Sequence, residues 1–148
     1  MQLFDQLADL GAELIVEAIA RLEKGDLPDI PQPEEGVTYA AKLDRGDGVI
    51  DWTLPAIDLD RRVRALNPWP GTGFEFGGER VKLLEAGVAV GEGRPGTILW
   101  LSEDGSPIVA CNPGALKLSI VQRPNRGPQD AASFLRALEL GPGASLLP

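Results

Sequence analysis

Histidine is missing altogether from this sequence. It is the commonest general base near neutral pH and the commonest transition-metal ligand, so a Ser-His or Cys-His mechanism and a His-based metal site are excluded for the chain on its own. Cysteine is represented only by Cys111, so no internal disulfide can form. Its place inside an apolar, strand-like run reads as a buried small hydrophobe and not a nucleophile. No long apolar run exists that could span a membrane, and Met1-Gln2 leads into an acidic amphipathic stretch rather than a basic segment with an apolar core; the expected compartment is the cytosol. Neither G-x-x-x-x-G-K-S/T nor G-x-G-x-x-G occurs, so no phosphate-cradling loop of those types is encoded. The carboxylate pairs Asp47/Asp51 and Asp58/Asp60 lie among polar residues and read as solvated surface.

What is present points to many tight turns. The chain has 148 residues, 43% of them hydrophobic, enough for one compact domain and an appendage. Its 18 Gly and 13 Pro are spread between apolar runs, the spacing of short strands. Charge is unevenly divided. Residues 1–35 carry nine acidic and two basic side chains, a net of −7, whereas residues 36–148 carry thirteen and twelve, a net of −1. The acidity therefore belongs to the leader, and the remainder can build a positive patch only if its Arg and Lys gather on one face.

The chain divides into residues 1–24, 25–36 and 37–148. Leu3, Leu7, Leu10, Leu14, Ala18 and Leu22 recur at helical spacing, widened by Phe4, Ile15 and Ile19, and predict a helix ending at Gly25. Its apolar face is too large to leave wet: it folds back, pairs with a copy, or belongs against a domain that is absent. Residues 25–36, with Pro28, Pro31 and Pro33 among acidic residues, read as an extended linker.

Residues 37–43 read as a short strand or extended arm. A helix is expected to open at Thr53-Leu54-Pro55, with Thr53 as cap, Pro55 in the first turn and Leu59, Val63 and Leu66 inward; Asp58–Arg62 and Asp60–Arg64 are its expected ion pairs. Asn67-Pro68-Trp69-Pro70-Gly71 must then stop the helix, because two prolines fix φ and bias the residues before them toward extended backbone. Trp69, held in this corner, suits either a core or a docking surface, and the scarcity of aromatics, 5% of the chain, favours the core.

Beyond the corner, a hairpin turns at Gly77-Gly78, and further strands are expected at 97–101, 108–111 and 116–121. A helix over 129–138, with Pro128 in its first turn, and a loosely held tail from Gly141 complete the reading. The fold class is α+β, mainly β: a small, closed or partly open OB-like barrel with two flanking helices, preceded by the amphipathic helix and the linker.

Several stretches resemble a known family in order and spacing. Gln32 to Leu43, Ile50-Asp51-Trp52 and Arg64-Ala65-Leu66-Asn67-Pro68-Trp69-Pro70-Gly71 look like the linker and C-terminal domain of methionyl-tRNA formyltransferases. Pro95-Gly96-Thr97-Ile98, Leu116 to Gln122 and Gln129-Asp130-Ala131 continue the likeness. Leu3 to Leu14 is similar to the last helix of that family's catalytic domain. Related domains occur in sugar-nucleotide formyltransferases and folate dehydrogenases.

The resemblance implies an OB-like barrel that helps to hold initiator tRNA. In the family an N-terminal Rossmann-like domain, carrying catalytic Asn, His and Asp, takes formyl from 10-formyltetrahydrofolate. No part of that region stands upstream of helix 3–24 here, so no catalytic residue is carried over, and that cofactor is implied only for the catalytic domain. The chain alone is expected to be inactive, with no metal. Candidate nucleic-acid contacts, chosen for charge and position, are Lys42, Arg64, Arg80, Lys82, Lys117, Arg123 and Arg126. A solvated surface role stands beside that reading for each. The rivals are a protein-docking barrel, using Trp69 and the apolar helix face against a catalytic subunit or a second copy, and the C-terminal domain of a sugar-nucleotide formyltransferase.

Overall fold

A computed structural model describes residues 2–147. Two compact units divide between Ala40 and Ala41. The first contains α1 (Gln2–Lys24). It ends where a residue at positive φ must follow, because Gly25, at φ 71°, lets its own N–H reach the Leu22 carbonyl (3.0 Å) while the Asp26 N–H reaches Arg21 (3.1 Å). Its apolar side chains stand open to solvent, from Leu3 at 69% exposure to Leu22 at 65%.

The second unit holds a six-stranded antiparallel sheet and two helices. In chain order these are α2 (Ala56–Leu66), β1 (Thr72–Phe76), β2 (Glu79–Ala89), β3 (Ile98–Leu101), β4 (Pro107–Ala110), β5 (Ala115–Gln122), β6 (Gln129–Asp130) and α3 (Ala131–Ala137). The sheet runs β1-β2-β5-β4-β3, with β6 added to β5, so it is an open barrel and not a closed one. Both edges are covered. Val49 bridges to Gly73 beside β1, and at β3 the Ile98 N–H donates to Ala144 (2.9 Å) while the Gly143 N–H donates back to Ile98 (2.7 Å).

The β1–β2 hairpin follows from Gly77 and Gly78, both at positive φ (57° and 76°), the conformation a two-residue turn between twisted strands requires. It sets Phe76 opposite Glu79, Glu75 opposite Arg80 and Phe74 opposite Val81. Val81 and Leu83 then point inward while Arg80 and Lys82 take the outer face. A register shift around Leu84 bends β2, which pairs with β1 over its first half and with β5 from Lys82 to Ala89. Leu59, Leu83, Leu116, Val121 and Leu135 fill the interior. Trp52 meets Phe74 edge-on at 5.5 Å between ring centroids, and Phe76 meets Phe134 at 6.2 Å.

Several local expectations need correction. Trp69 is 61% exposed, whereas Trp52, 2% exposed, is the core tryptophan. The inward position at the corner belongs to Asn67, whose side-chain amide donates to the Leu84 carbonyl at 2.8 Å. Thr53 does not cap α2, because its hydroxyl donates to Asp51 (2.7 Å), and Pro55 occupies the N-cap position itself. Arg61 takes Asp58 (3.2 Å) in place of Arg62, while the Asp60–Arg64 pair forms as expected at 3.0 Å. Gln129 and Asp130 pair with β5, so the last helix starts at Ala131 and Pro128 lies outside it. Of the two readings of residues 37–43, a short strand or an extended arm, the strand does not form among the described residues. Nor is the tail loose: Leu146 is fully buried and its N–H donates to Gly96 at 2.8 Å.

Candidate nucleic-acid interface

The candidate surface is built on the outer face of β2. Arg80 and Lys82, two residues apart on one strand, project to the same side. The segment before Ile50 lies beside them because the turn at 44–48 is tied by its own carboxylates. Asp44 accepts from the Gly46 N–H (2.6 Å), and Asp47 accepts from the Asp44 N–H (2.8 Å). Gly48 permits the close approach, since a Cβ there would collide with the Gly71 carbonyl oxygen. The Ile50 N–H then donates to Gly73 (2.8 Å), and the Arg80 guanidinium donates to the Arg45 carbonyl at 3.4 Å.

The proline corner supplies the remaining wall. Gly71 closes it by donating to Leu66 at 2.9 Å. Arg45, Pro68, Trp69, Pro70, Arg80 and Lys82 together line an open concavity of about 360 Å³. Arg80 and Lys82 also line its neighbour, with Gln122, Arg123, Pro124 and Asn125. Arg123 in turn shares a third hollow with Arg126. A band of cations therefore runs from the Trp69 indole to the loop after β5.

Four of the seven sequence-chosen residues fall in this band: Arg80, Lys82, Arg123 and Arg126. Arg123 is engaged, donating through Nε and Nη2 to one Glu79 oxygen at 3.0 and 2.9 Å. Among the described residues Arg45, Arg80, Lys82 and Arg126 have no carboxylate within ion-pair distance. The other three line none of these hollows. Arg64 pairs with Asp60 on α2, and Lys42 is exposed in an irregular segment. Lys117 sits five residues before Gln122, about 17 Å along β5, and its ammonium donates to Asp104 at 2.7 Å. That contact, with further hydrogen bonds from Ser102 and Ser106, holds the Asp104 carboxyl well below the usual range.

The sequence reading missed Arg45 and misplaced Trp69. A signal for Arg45 existed in Asp44-Arg45-Gly46-Asp47-Gly48, a turn composition that fixes an exposed Arg at its start. Elsewhere Asp51 is held below its ordinary pKa, first by the Thr53 hydroxyl and then by the Thr53 N–H. Burial pushes the Cys111 thiol up to about 11, which leaves it an inert core group.

Comparison with known proteins gives the family. The family described as "Formyl transferase, C-terminal domain" matches residues 42–139. The chain belongs to that family. It is 49% identical over 145 residues to the methionyl-tRNA formyltransferase of Paramagnetospirillum magneticum, covering 97% of this chain and 46% of that protein. With the methionyl-tRNA formyltransferase of Ruegeria pomeroyi it shares 46% identity over 144 residues, again 97% of this chain and 46% of the relative. The chain thus spans about half the length of the curated relatives it matches. Among solved structures, HypX from Aquifex aeolicus in complex with tetrahydrofolic acid matches with a TM-score of 0.57 at 24% identity, over 83% of this chain and 22% of that one. A variant of HypX reaches 0.60 at 23% identity, over 89% and 24%. These two share the fold.

Proposed function

We propose that this domain is the non-catalytic, tRNA-holding part of a methionyl-tRNA formyltransferase acting in the cytoplasm. The observation that carries the reading is the cation band of Arg45, Arg80, Lys82 and Arg126, with no carboxylate within ion-pair distance among the described residues, on a barrel whose relatives bear that name. Phosphates would lie along this band, and salt would compete with them. The cavity lined by Phe76, Glu79, Val81, Arg123, Phe134 and Leu138 encloses about 110 Å³, too small for a folate-type formyl donor when ordinary ligand pockets take roughly 300–1,000 Å³. No step of formyl transfer is assigned to this chain.

Titration of labelled initiator tRNA tests the proposal. Binding is expected in the micromolar range or looser, steeply salt-dependent, and abolished by Arg80→Glu/Lys82→Glu. The purified chain is expected to move no formyl group from 10-formyltetrahydrofolate to an amine, and turnover above background contradicts the assignment. Undetectable tRNA binding at low salt defeats the tRNA reading.

A second reading rests on α1, where Leu3, Phe4, Leu7, Leu10, Leu14, Ile15, Ile19 and Leu22 are all more than half exposed. Such a face serves docking, against a catalytic formyltransferase domain or a second copy. Light scattering across a concentration series detects the second copy. A sugar-nucleotide substrate has less support, given the relatives' names.

A further inference from the structure

The structure assigns Trp69 a role that the charge band alone does not: we propose that its indole is a stacking platform for an unpaired base of an RNA strand whose phosphates lie on Arg45, Arg80 and Lys82. The inference rests on the tRNA reading above and deepens it by naming the contact. An exposed aromatic beside a positive groove is the combination by which proteins hold single strands, since every base offers a π-face and every nucleotide a phosphate.

Three observations support a base here over a protein partner. The indole is 61% exposed, and in its hollow it is accompanied only by Pro68, Pro70 and three cations, so no contiguous apolar patch surrounds it. The centres of protein interfaces are depleted of charge, whereas this hollow concentrates it. Three carboxylates stand near the hollow, Glu75 opposite Arg80 in strand register and Asp44 and Asp47 in the turn that carries Arg45, but Asp44 and Asp47 are taken up by backbone N–H groups and none of the three lies within ion-pair distance of Arg45, Arg80 or Lys82. The geometry suits an extended strand. Arg80 and Lys82 project about 7 Å apart along β2, and the prolines flanking Trp69 fix φ on both sides, so little freedom is lost when a base stacks.

The experiment uses the full chain, an unstructured oligoribonucleotide of about ten nucleotides, a fully paired RNA duplex and initiator tRNA. Binding is read by anisotropy and by indole fluorescence. Trp52 is buried and Trp100 lies on β3, so the difference between the wild type and Trp69→Phe isolates the Trp69 signal.

The oligonucleotide is expected to quench the wild type and not Trp69→Phe, and the duplex to quench neither. Trp69→Phe is expected to keep its affinity within a few-fold, while Trp69→Ala loses about tenfold. Arg80→Gln/Lys82→Gln, which removes two phosphate contacts, is expected to reduce the slope of log K against log salt for the oligonucleotide by about 1.4. Salt-dependent tRNA and oligonucleotide binding with no Trp69-dependent quench, and with Trp69→Ala equal to wild type, overturns the stacking contact and leaves the tRNA reading standing. Trp69-dependent binding of the oligonucleotide without tRNA binding supports the platform and defeats the tRNA reading. No binding of either RNA overturns both. A Trp69 substitution that disrupts self-association or a protein complex but not oligonucleotide binding overturns the platform in favour of docking.

Discussion

Trp52 and Trp69 stand at two bends of one barrel and face opposite ways. Trp52, in Ile50-Asp51-Trp52, is 2% exposed and packs edge-on against Phe74; Trp69, held between two prolines, is 61% exposed. Both are large aromatics close to α2, so residue type does not separate them. What separates them is which neighbour holds the inward position. At the first bend Asp51 turns outward to accept from Thr53, which leaves Trp52 against the sheet. At the second, Asn67 points inward to bond the Leu84 carbonyl, and the indole two residues on is left in solvent. A rigid corner presents a side chain firmly without deciding what it meets.

The largest effect that sharpens this contrast is on stability. Trp52→Ala is expected to destabilise the barrel by about 3–5 kcal/mol, the range for deleting a buried aromatic. Trp69→Ala is expected to change it by no more than about 0.5 kcal/mol, as for other surface substitutions. Urea unfolding of the two variants side by side reads both numbers, and equal losses would erase the distinction between the bends.

The next effect falls on affinity and contrasts the two units instead of the two tryptophans. Residues 1–35 carry a net charge of −7 and the remainder −1, while among the described residues the barrel's hydrophobic core begins at Ile50. A chain starting at Gly36 is therefore expected to fold and to bind initiator tRNA more tightly by a few-fold at low salt, converging on the full chain as screening rises. Equal affinities at every salt concentration contradict the electrostatic account.

How much of this was legible in the sequence depended on the range of the interaction that decided each feature. The Gly77-Gly78 hairpin, the stop at Gly25 and the inward stripe of Leu59, Val63 and Leu66 follow from local backbone chemistry and periodicity, and they stand as read. Trp69 failed because its exposure depends on Asn67 reaching a strand residue seventeen positions away, which no local pattern encodes. The start of α3 failed for a like reason: Pro128 fits a first turn, yet β5 offers Gln129 and Asp130 a pairing edge. The cation band was half legible. Alternation on β2 put Arg80 and Lys82 on one side, but only the register of β5 brings Gln122 opposite Lys82, with Arg123 next to it, and sends Lys117 to the other end.

That separation along β5 sets the smallest expected effect. Lys117 has the same charge as Lys82 but is bound to Asp104 at 2.7 Å and stands about 17 Å from Gln122 by strand rise. Lys117→Gln is therefore expected to leave tRNA affinity within twofold of wild type, whereas Lys82→Gln lowers it and flattens its salt dependence. The pair has its own pH signature. Because the folded pKa of Asp104 is depressed, its contribution to stability is fully present above the unfolded carboxylate value of 3.8, declines progressively as pH falls below it, and is gone once pH has passed the lower folded value. The group is exposed, so the contribution is small and screened by salt. Comparing Asp104→Asn with wild type by urea unfolding at pH 7 and at pH 2.5 checks the sign: the variant should be slightly less stable at pH 7, and the gap should narrow at the lower pH. A gap that widens on acidification would place the favourable interaction in the protonated form and remove the reason for setting Lys117 apart from the band.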